Sequence, residues 1–256
     1  AREWVAKGQP RQTEVQPIQD RFQATREAMK SVDRFLSPSQ NLAERMISLG
    51  WIPKKAAFVE DLPLVRPIDP KPKNPDAPFR ILFVGSLIPT KGPQLLLEAA
   101  EGLDAEVYFY GPAPVFDGHP DWGLKLIRKI EHQDKAFYGG VFDDTQRNRV
   151  YSDADLFVMP SIWEENSPLV LREALAAGLP TVISNVGGMA EIAPESPQFT
   201  AGSVSELRQK LEEAISISAP KSSPKTWPMN AHIEALQVHY KELSRKRIGL
   251  RRTGAI

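Results

Sequence analysis

Three carboxylates, Glu164, Glu165 and Glu173, bracket a short apolar run in the stretch PSIWEENSPLVLREALAAGLP, which occupies 160–180. Ser167 is placed to cap a helix, Pro168 suits its first position and Gly178 suits the position just past its end, which predicts a helix over 168–177. Glu165 then stands just ahead of the helix and Glu173 about a turn and a half inside it. The opening amides, from Asn166, Ser167, Pro168, Leu169 and Val170, favour an anion. Carboxylates beside an anion are unfavourable unless they accept hydrogen bonds from hydroxyls. The pattern therefore suits a ligand with both phosphates and hydroxyl-bearing rings. A Glu165 that only complements the helix dipole and a solvated Glu173 fit the same spacing.

A second loop, GSLIPTKG at 85–92, closes an apolar run and leads to a helix opened by Gly92. Gly85 allows a sharp turn there, and Lys91 puts an ammonium near a helix start, a good place for phosphate. The loop is neither a Walker A motif nor GxGxxG, and an ordinary strand-to-helix turn with a solvated lysine reads the same way. A third loop, NVGGMAEI at 185–192, has adjacent glycines that let backbone approach a ligand, with Met189 opening a helix. FYGPAP, carrying Gly111, and FYGGVFDD, carrying Gly140 and Val141, form two further strand ends suited to a flat base or to plain turns. His119, His132, His232 and His239 lack metal-ligand spacing, so no metal site is expected. Asp143 and Asp144, and Asp153 and Asp155, read as helix caps and solvent charges.

These loops need a scaffold that brings strand ends together. The runs RILFVG, EVYFYG, KAFYGG, LFVMPS and TVISN are short, apolar and closed by Gly, Ser or Asn. Helices are predicted between them over 93–103, 122–131, 145–152 and 168–177. Such alternation means parallel strands joined by crossovers, and continuous apolar strands mean a sheet covered on both faces. The expectation is an α/β, Rossmann-like parallel sheet with helices on both faces over 79–228. Later amphipathic helices are predicted over 203–216 and 230–247. Upstream, 1–17 shows no period, 18–32 reads as a helix, and 34–60 reads as strand, helix (Ser39 capping it, Gly50 stopping it) and strand. Residues 1–65 are too small a set to make a whole domain. Prolines at 67, 70, 72, 75 and 78 make 66–78 a linker, and 229–256 is a crossing helix with a basic tail, SRKRIGLRR.

Lys plus Arg and Asp plus Glu both number 32 in the 256 residues, so no net charge favours nucleic acid as a partner. The basic tail leaves room for weak peripheral contact with an anionic membrane surface. There is no cysteine, which excludes disulfides and suggests a reducing, cytoplasmic setting. The start has no initiator Met and no apolar leader core, and reads as a piece of a longer chain.

The order VGSLIPTKG, FYGP, FYGGV and DADLFVMPSIWEENSPLVLREALAAGLPTVISNVGGMAEI closely resembles retaining glycosyltransferases of family GT4, also called glycosyl transferase group 1. Glu165 and Glu173 match the family's pair of Glu separated by seven residues. The resemblance implies a GT-B architecture of two facing Rossmann domains, of which 79–228 is the C-terminal, donor-binding half. Upstream stands a remnant of the first, acceptor-binding domain, whose missing part is the partner of this half. It implies a nucleotide sugar as donor, UDP-, GDP- or ADP-linked, and a glycan, lipid or protein as acceptor. No cofactor or metal is implied. By the same resemblance, Lys91 neutralises the diphosphate, Glu165 contacts the transferred sugar and Glu173 accepts from the ribose hydroxyls. The amides around 167–170 hold sugar and phosphate, and Gly140 and Val141 lie near the base. Ser86 stands where the family usually has Arg, which removes one phosphate contact. A non-catalytic nucleotide-sugar-binding module and a GT-B-fold sugar epimerase are the alternatives.

Overall fold

The structure, a computed structural model, describes residues 12–64, 68, 77–217 and 224–252, with side chains described over 16–245 of that set. Most of the proline-rich segment at 66–78 lies outside the described residues.

Six parallel strands form the main sheet: β3 (Arg80–Val84), β4 (Glu106–Tyr110), β5 (Ala136–Gly140), β6 (Leu156–Met159), β7 (Thr181–Ser184) and β8 (Gln198–Phe199). Their order is β5-β4-β3-β6-β7-β8, with every neighbouring pair parallel. Counted from β3 this is the 3-2-1-4-5-6 order of the Rossmann fold, which reverses between β3 and β6. β6 and β7 are buried at all four positions, as strands covered on both sides must be.

One face packs α3 (Pro93–Ala99), α4 (Trp122–Glu131) and α8 (Val204–Ser216) through Leu96, Ile130 and Leu211 onto Ile81, Phe83 and Phe109. The other packs α5 (Asp144–Ser152), α6 (Leu169–Ala176) and the single-turn α7 (Met189–Ile192) onto Leu82, Phe157 and Ile183. The switch of face between Ile81 and Leu82 is the period-2 alternation of a strand. Each leucine fully buried this way contributes about 2 kcal/mol.

The predicted helix ends hold closely in this domain. α4 has both predicted bounds, and Asp143 caps α5 in a reciprocal capping box with Gln146. Ser203 caps α8. Helix α3 stops at Ala99, short of the predicted 103, because Gly102 turns the chain at φ 75°. Strand β8 was not foreseen. Its two residues sit in a segment rich in Pro and Ser, with no alternating run to mark it.

The upstream unit consists of α1 (Gln12–Met29), β1 (Phe35–Ser37), α2 (Gln40–Ser48) and β2 (Ala57–Val59), with β1 and β2 paired in parallel. Ser39 caps α2 and Gly50 takes φ 69° after it, as expected. Helix α1 begins six residues before the expected start, with Pro17 inside it. The last helix, α9 (Met229–Arg252), returns to this unit: Arg34 reaches His239 at 2.6 Å and Glu242 at 2.5 Å. The two units also meet through Glu191 of α7, which accepts from the Gln40 and Asn41 amides at 2.6 and 2.7 Å. Those are first-turn donors of α2 with no partner in their own helix. Arg45 pairs with Glu164 beside this contact.

Candidate functional site

The loops after β3 and β6 meet where the strand order reverses, the position at which open α/β sheets bind ligands. A 3-10 turn, Pro89–Lys91, ends on Gly92 at φ 73°. Gly92 lies so close to Pro160 that a Cβ there would stand 2.7 Å from the Pro160 carbonyl carbon. This approach sews the loops together: the Thr90 carbonyl accepts from Ile162 N–H at 2.9 Å, Trp163 N–H at 3.2 Å and the Ser161 hydroxyl at 3.1 Å. Lys91 Nζ is thereby held 2.5 Å from Glu165 Oε1, and the Ser161 hydroxyl donates to the same oxygen at 2.9 Å. Glu165 is buried, 8% exposed, while the Lys91 side chain keeps 31% of its surface in solvent.

The third loop supports Glu165 from behind. Gly188 N–H donates to the Glu165 carbonyl at 2.6 Å, and Gly187, at φ 64°, would place a Cβ 2.6 Å from Glu165 N. A groove of about 460 Å³ opens beside them, lined by Asn41, Glu44, Arg45, Glu164, Asn185 and Gly187.

Along the other strands, Gly85 N–H donates to Tyr110 O and Gly111 N–H to Gly140 O, which sets Gly85, Gly111 and Gly140 side by side at the carboxyl rim. Gly111 takes φ 136° and would clash with Gly85 if it had a Cβ, whereas Gly85 has no positive φ. The glycine requirement predicted at Gly85 thus falls on Gly92 and Gly111. Ser86 is half-buried in the first loop, and Val141 is 68% exposed beyond Gly140.

Helix α6 corrects two expectations. It begins at Leu169 with Pro168 as its cap residue and no side-chain cap. The Ser167 hydroxyl instead accepts from Arg172 at 2.8 Å, because that guanidinium is fully buried and needs acceptors. Pro168 has no N–H, so the amides opening the helix come from its neighbours, among them exposed Asn166 and Leu169 and half-buried Val170. At the other end Gly178, at φ 71°, and Leu179 donate to Leu175 and Ala174, a Schellman stop.

Among the described residues, the hydrogen-bond and ion-pair partners of the Glu173 side chain are Tyr151 and Arg147, not Lys91. Its carboxylate faces α5, where the Tyr151 hydroxyl donates to it at 2.6 Å and Arg147 Nε lies 3.6 Å away. Burial, and then the Glu173 charge and hydrogen bond, hold the Tyr151 hydroxyl well above its usual pKa. Sequence reading missed Ser161, Arg147 and Tyr151. The last two stand four apart on one helix, a spacing that puts them on one face. Asp155, read as a solvent charge, accepts from Arg80 N–H at 2.7 Å. Among the described residues no cluster of His, Cys, Asp or Glu is arranged to hold a metal ion, and no helix is long and apolar enough to cross a membrane.

The family profile described as Glycosyl transferases group 1 matches residues 65–223. The chain belongs to this family. Among its relatives, D-inositol 3-phosphate glycosyltransferase 2 of Catenulispora acidiphila is 30% identical over 184 residues, covering 64% of this chain and 43% of that protein. The uncharacterized glycosyltransferase MJ1607 of Methanocaldococcus jannaschii is 37% identical over 116 residues, 44% of this chain and 28% of that one. The chain thus spans less than half the length of these curated relatives. A similar fold is seen in a solved glycosyltransferase from Rickettsia africae ESF-5, with TM-score 0.69 at 18% identity over 86% of this chain and 66% of that one. Anabaena HepE, solved with UDP, gives 0.65 at 17% identity over 87% and 66%.

Proposed function

We propose that this group 1 chain carries the nucleotide-sugar site of a retaining glycosyltransferase. The observation that carries the reading is the Lys91–Glu165–Ser161 cluster at the point where the strand order reverses. Lys91 neutralises the donor diphosphate together with the opening amides of α6, in charge terms taking the part a divalent ion plays elsewhere. Among the described residues, neither a side chain nor an amide bonds the second Glu165 oxygen, which is left to accept from a sugar hydroxyl. Glu173 accepts from the ribose hydroxyls, exchanging them for Arg147 or Tyr151. The base lies against Gly140 and Val141, and the acceptor enters by the groove between α2 and Glu164. A neighbour solved with UDP-glucose supports a nucleotide sugar as donor. The acceptor is a glycan, lipid or protein. The lack of cysteine and the basic stretch at 244–252 favour a cytoplasmic place, in weak contact with the inner membrane surface.

A thermal-shift panel of UDP, GDP, ADP and their sugars tests the reading, since a ligand that binds only the folded state raises apparent stability. One diphosphate is expected to raise Tm in the native chain and to lose that effect in Glu173→Ala. A panel that leaves Tm unchanged at millimolar ligand overturns the proposal. If UDP-glucose or another sugar nucleotide binds but is epimerised and not transferred, the epimerase alternative takes its place.

A further inference from the structure

We propose that Ser161 is a positioning residue that keeps the Glu165 carboxylate in place when a ligand phosphate takes Lys91. The Lys91–Glu165 ion pair is then an internal competitor for that phosphate. The inference rests on the donor-site reading above and adds a role for Ser161 which that reading does not assign.

Ser161 is fully buried at the carboxyl end of β6. Its one hydroxyl proton faces three acceptors: Glu165 Oε1 at 2.9 Å, Thr90 O at 3.1 Å and Trp163 O at 3.2 Å. Its oxygen accepts from Trp163 N–H at 3.3 Å. Lys91 Nζ reaches the same Oε1 at 2.5 Å. A carboxylate with only 10% of its side chain exposed therefore has one charged donor and one neutral donor, both on one oxygen.

These two donors are not equivalent. Lys91 is the more exposed partner and the one with a long flexible stem, so it is the one able to turn to an incoming diphosphate. When it does, Glu165 is left nearly buried without its cation, a state that costs free energy unless a hydrogen bond remains. Ser161 supplies that bond. Its proton, shared among three oxygens in the unliganded chain, commits to Oε1 once the ammonium has left. The hydroxyl cannot be lost to solvent, because Thr90 and Trp163 hold the serine between the two loops. Phosphate binding and carboxylate placement are in this way coupled through a residue that touches neither phosphate nor sugar.

The test is a double-mutant cycle on nucleotide affinity, measured by titration calorimetry with UDP, GDP and ADP, using whichever binds native chain most tightly. Glu165→Gln removes the competitor and is expected to tighten binding several-fold. Ser161→Ala is expected to weaken it by about tenfold, roughly one hydrogen bond to a charged group. In the Glu165→Gln background, Ser161→Ala is expected to change affinity by less than about twofold, because no charge is left to be stranded. Ser161→Cys fills the same space with a weaker donor and should fall between. Melting of each unliganded variant shows that it is folded. An equal loss from Ser161→Ala in both backgrounds would make Ser161 a mere loop strut and overturn the inference. Weaker binding in Glu165→Gln would overturn the competition. Failure of all three nucleotides to bind the native chain defeats the donor-site reading, and this inference falls with it.

Discussion

Replacing Gly92 by Ala should separate the two loops on which the Lys91–Glu165 pair depends. Gly92 adopts φ 73°, and left-handed backbone costs a residue with a Cβ about 1–2 kcal/mol. The new methyl would overlap the Pro160 carbonyl oxygen, its nearest neighbour, and stand 2.7 Å from the carbonyl carbon, so the Pro160 peptide must retreat by more than the carbon alone would require to reach ordinary contact. Overpacking of this kind adds about 1–3 kcal/mol. With a combined cost near 3 kcal/mol, a domain of this size should lose about 6–12 °C in Tm. The same retreat carries Ser161 and Glu165 away from Lys91, so nucleotide affinity should fall as well. Gly102→Ala is the control. It has φ 75° but nothing within 4 Å of its would-be Cβ, so only the backbone cost applies and affinity should not change. Urea and thermal unfolding of both variants, with calorimetric titration of the nucleotide, decide the matter. Equal losses of Tm in the two variants, or native affinity in Gly92→Ala, would refute the close-approach argument.

Two further outcomes follow from the structure. The Tyr151 hydroxyl has a pKa raised by burial and by Glu173, so its neutral form contributes stability that is fully present below the unfolded value near 10 and is lost as pH rises above it. Urea midpoints measured from pH 7 to 11 should therefore fall above pH 10 in the native chain. The fall should be shallower in Tyr151→Phe, with Tyr108 and Tyr110, whose burial also raises them, keeping part of the slope. Identical slopes would count against the buried hydroxyl. Glu191→Ala should cost about 1–2 kcal/mol by uncapping two amides of α2, and should speed amide exchange at 40–43 while leaving α4 unchanged. Unaltered exchange at those amides would show that water replaces the carboxylate at no cost.

The parts legible in the sequence are those with local causes. Five strands announced themselves as apolar runs closed by small residues, and Asp143 and Ser39 marked helix starts because a cap bonds within three residues of itself. Lys91 and Glu165 could each be singled out, and the Rossmann order then brought them together. Long-range bonds left no trace. Arg172 takes the Ser167 hydroxyl and reaches Asp61, 111 residues away, and nothing near Ser167 warns that its oxygen is claimed. Glu191 likewise serves α2 from about 150 residues away. Strand β8 escaped because two residues carry no period, and its pairing depends on β7 being there first.

All six strands run the same way, so every loop with a candidate role leaves from one rim. The opposite rim, where helices hand the chain back to the strands, includes the turn around Gly102, whose surroundings are open. A dye, an affinity handle or a short insertion placed at that turn would sit a full strand length from the chemistry. The chain could then be tethered to a surface or read by fluorescence with its working edge free.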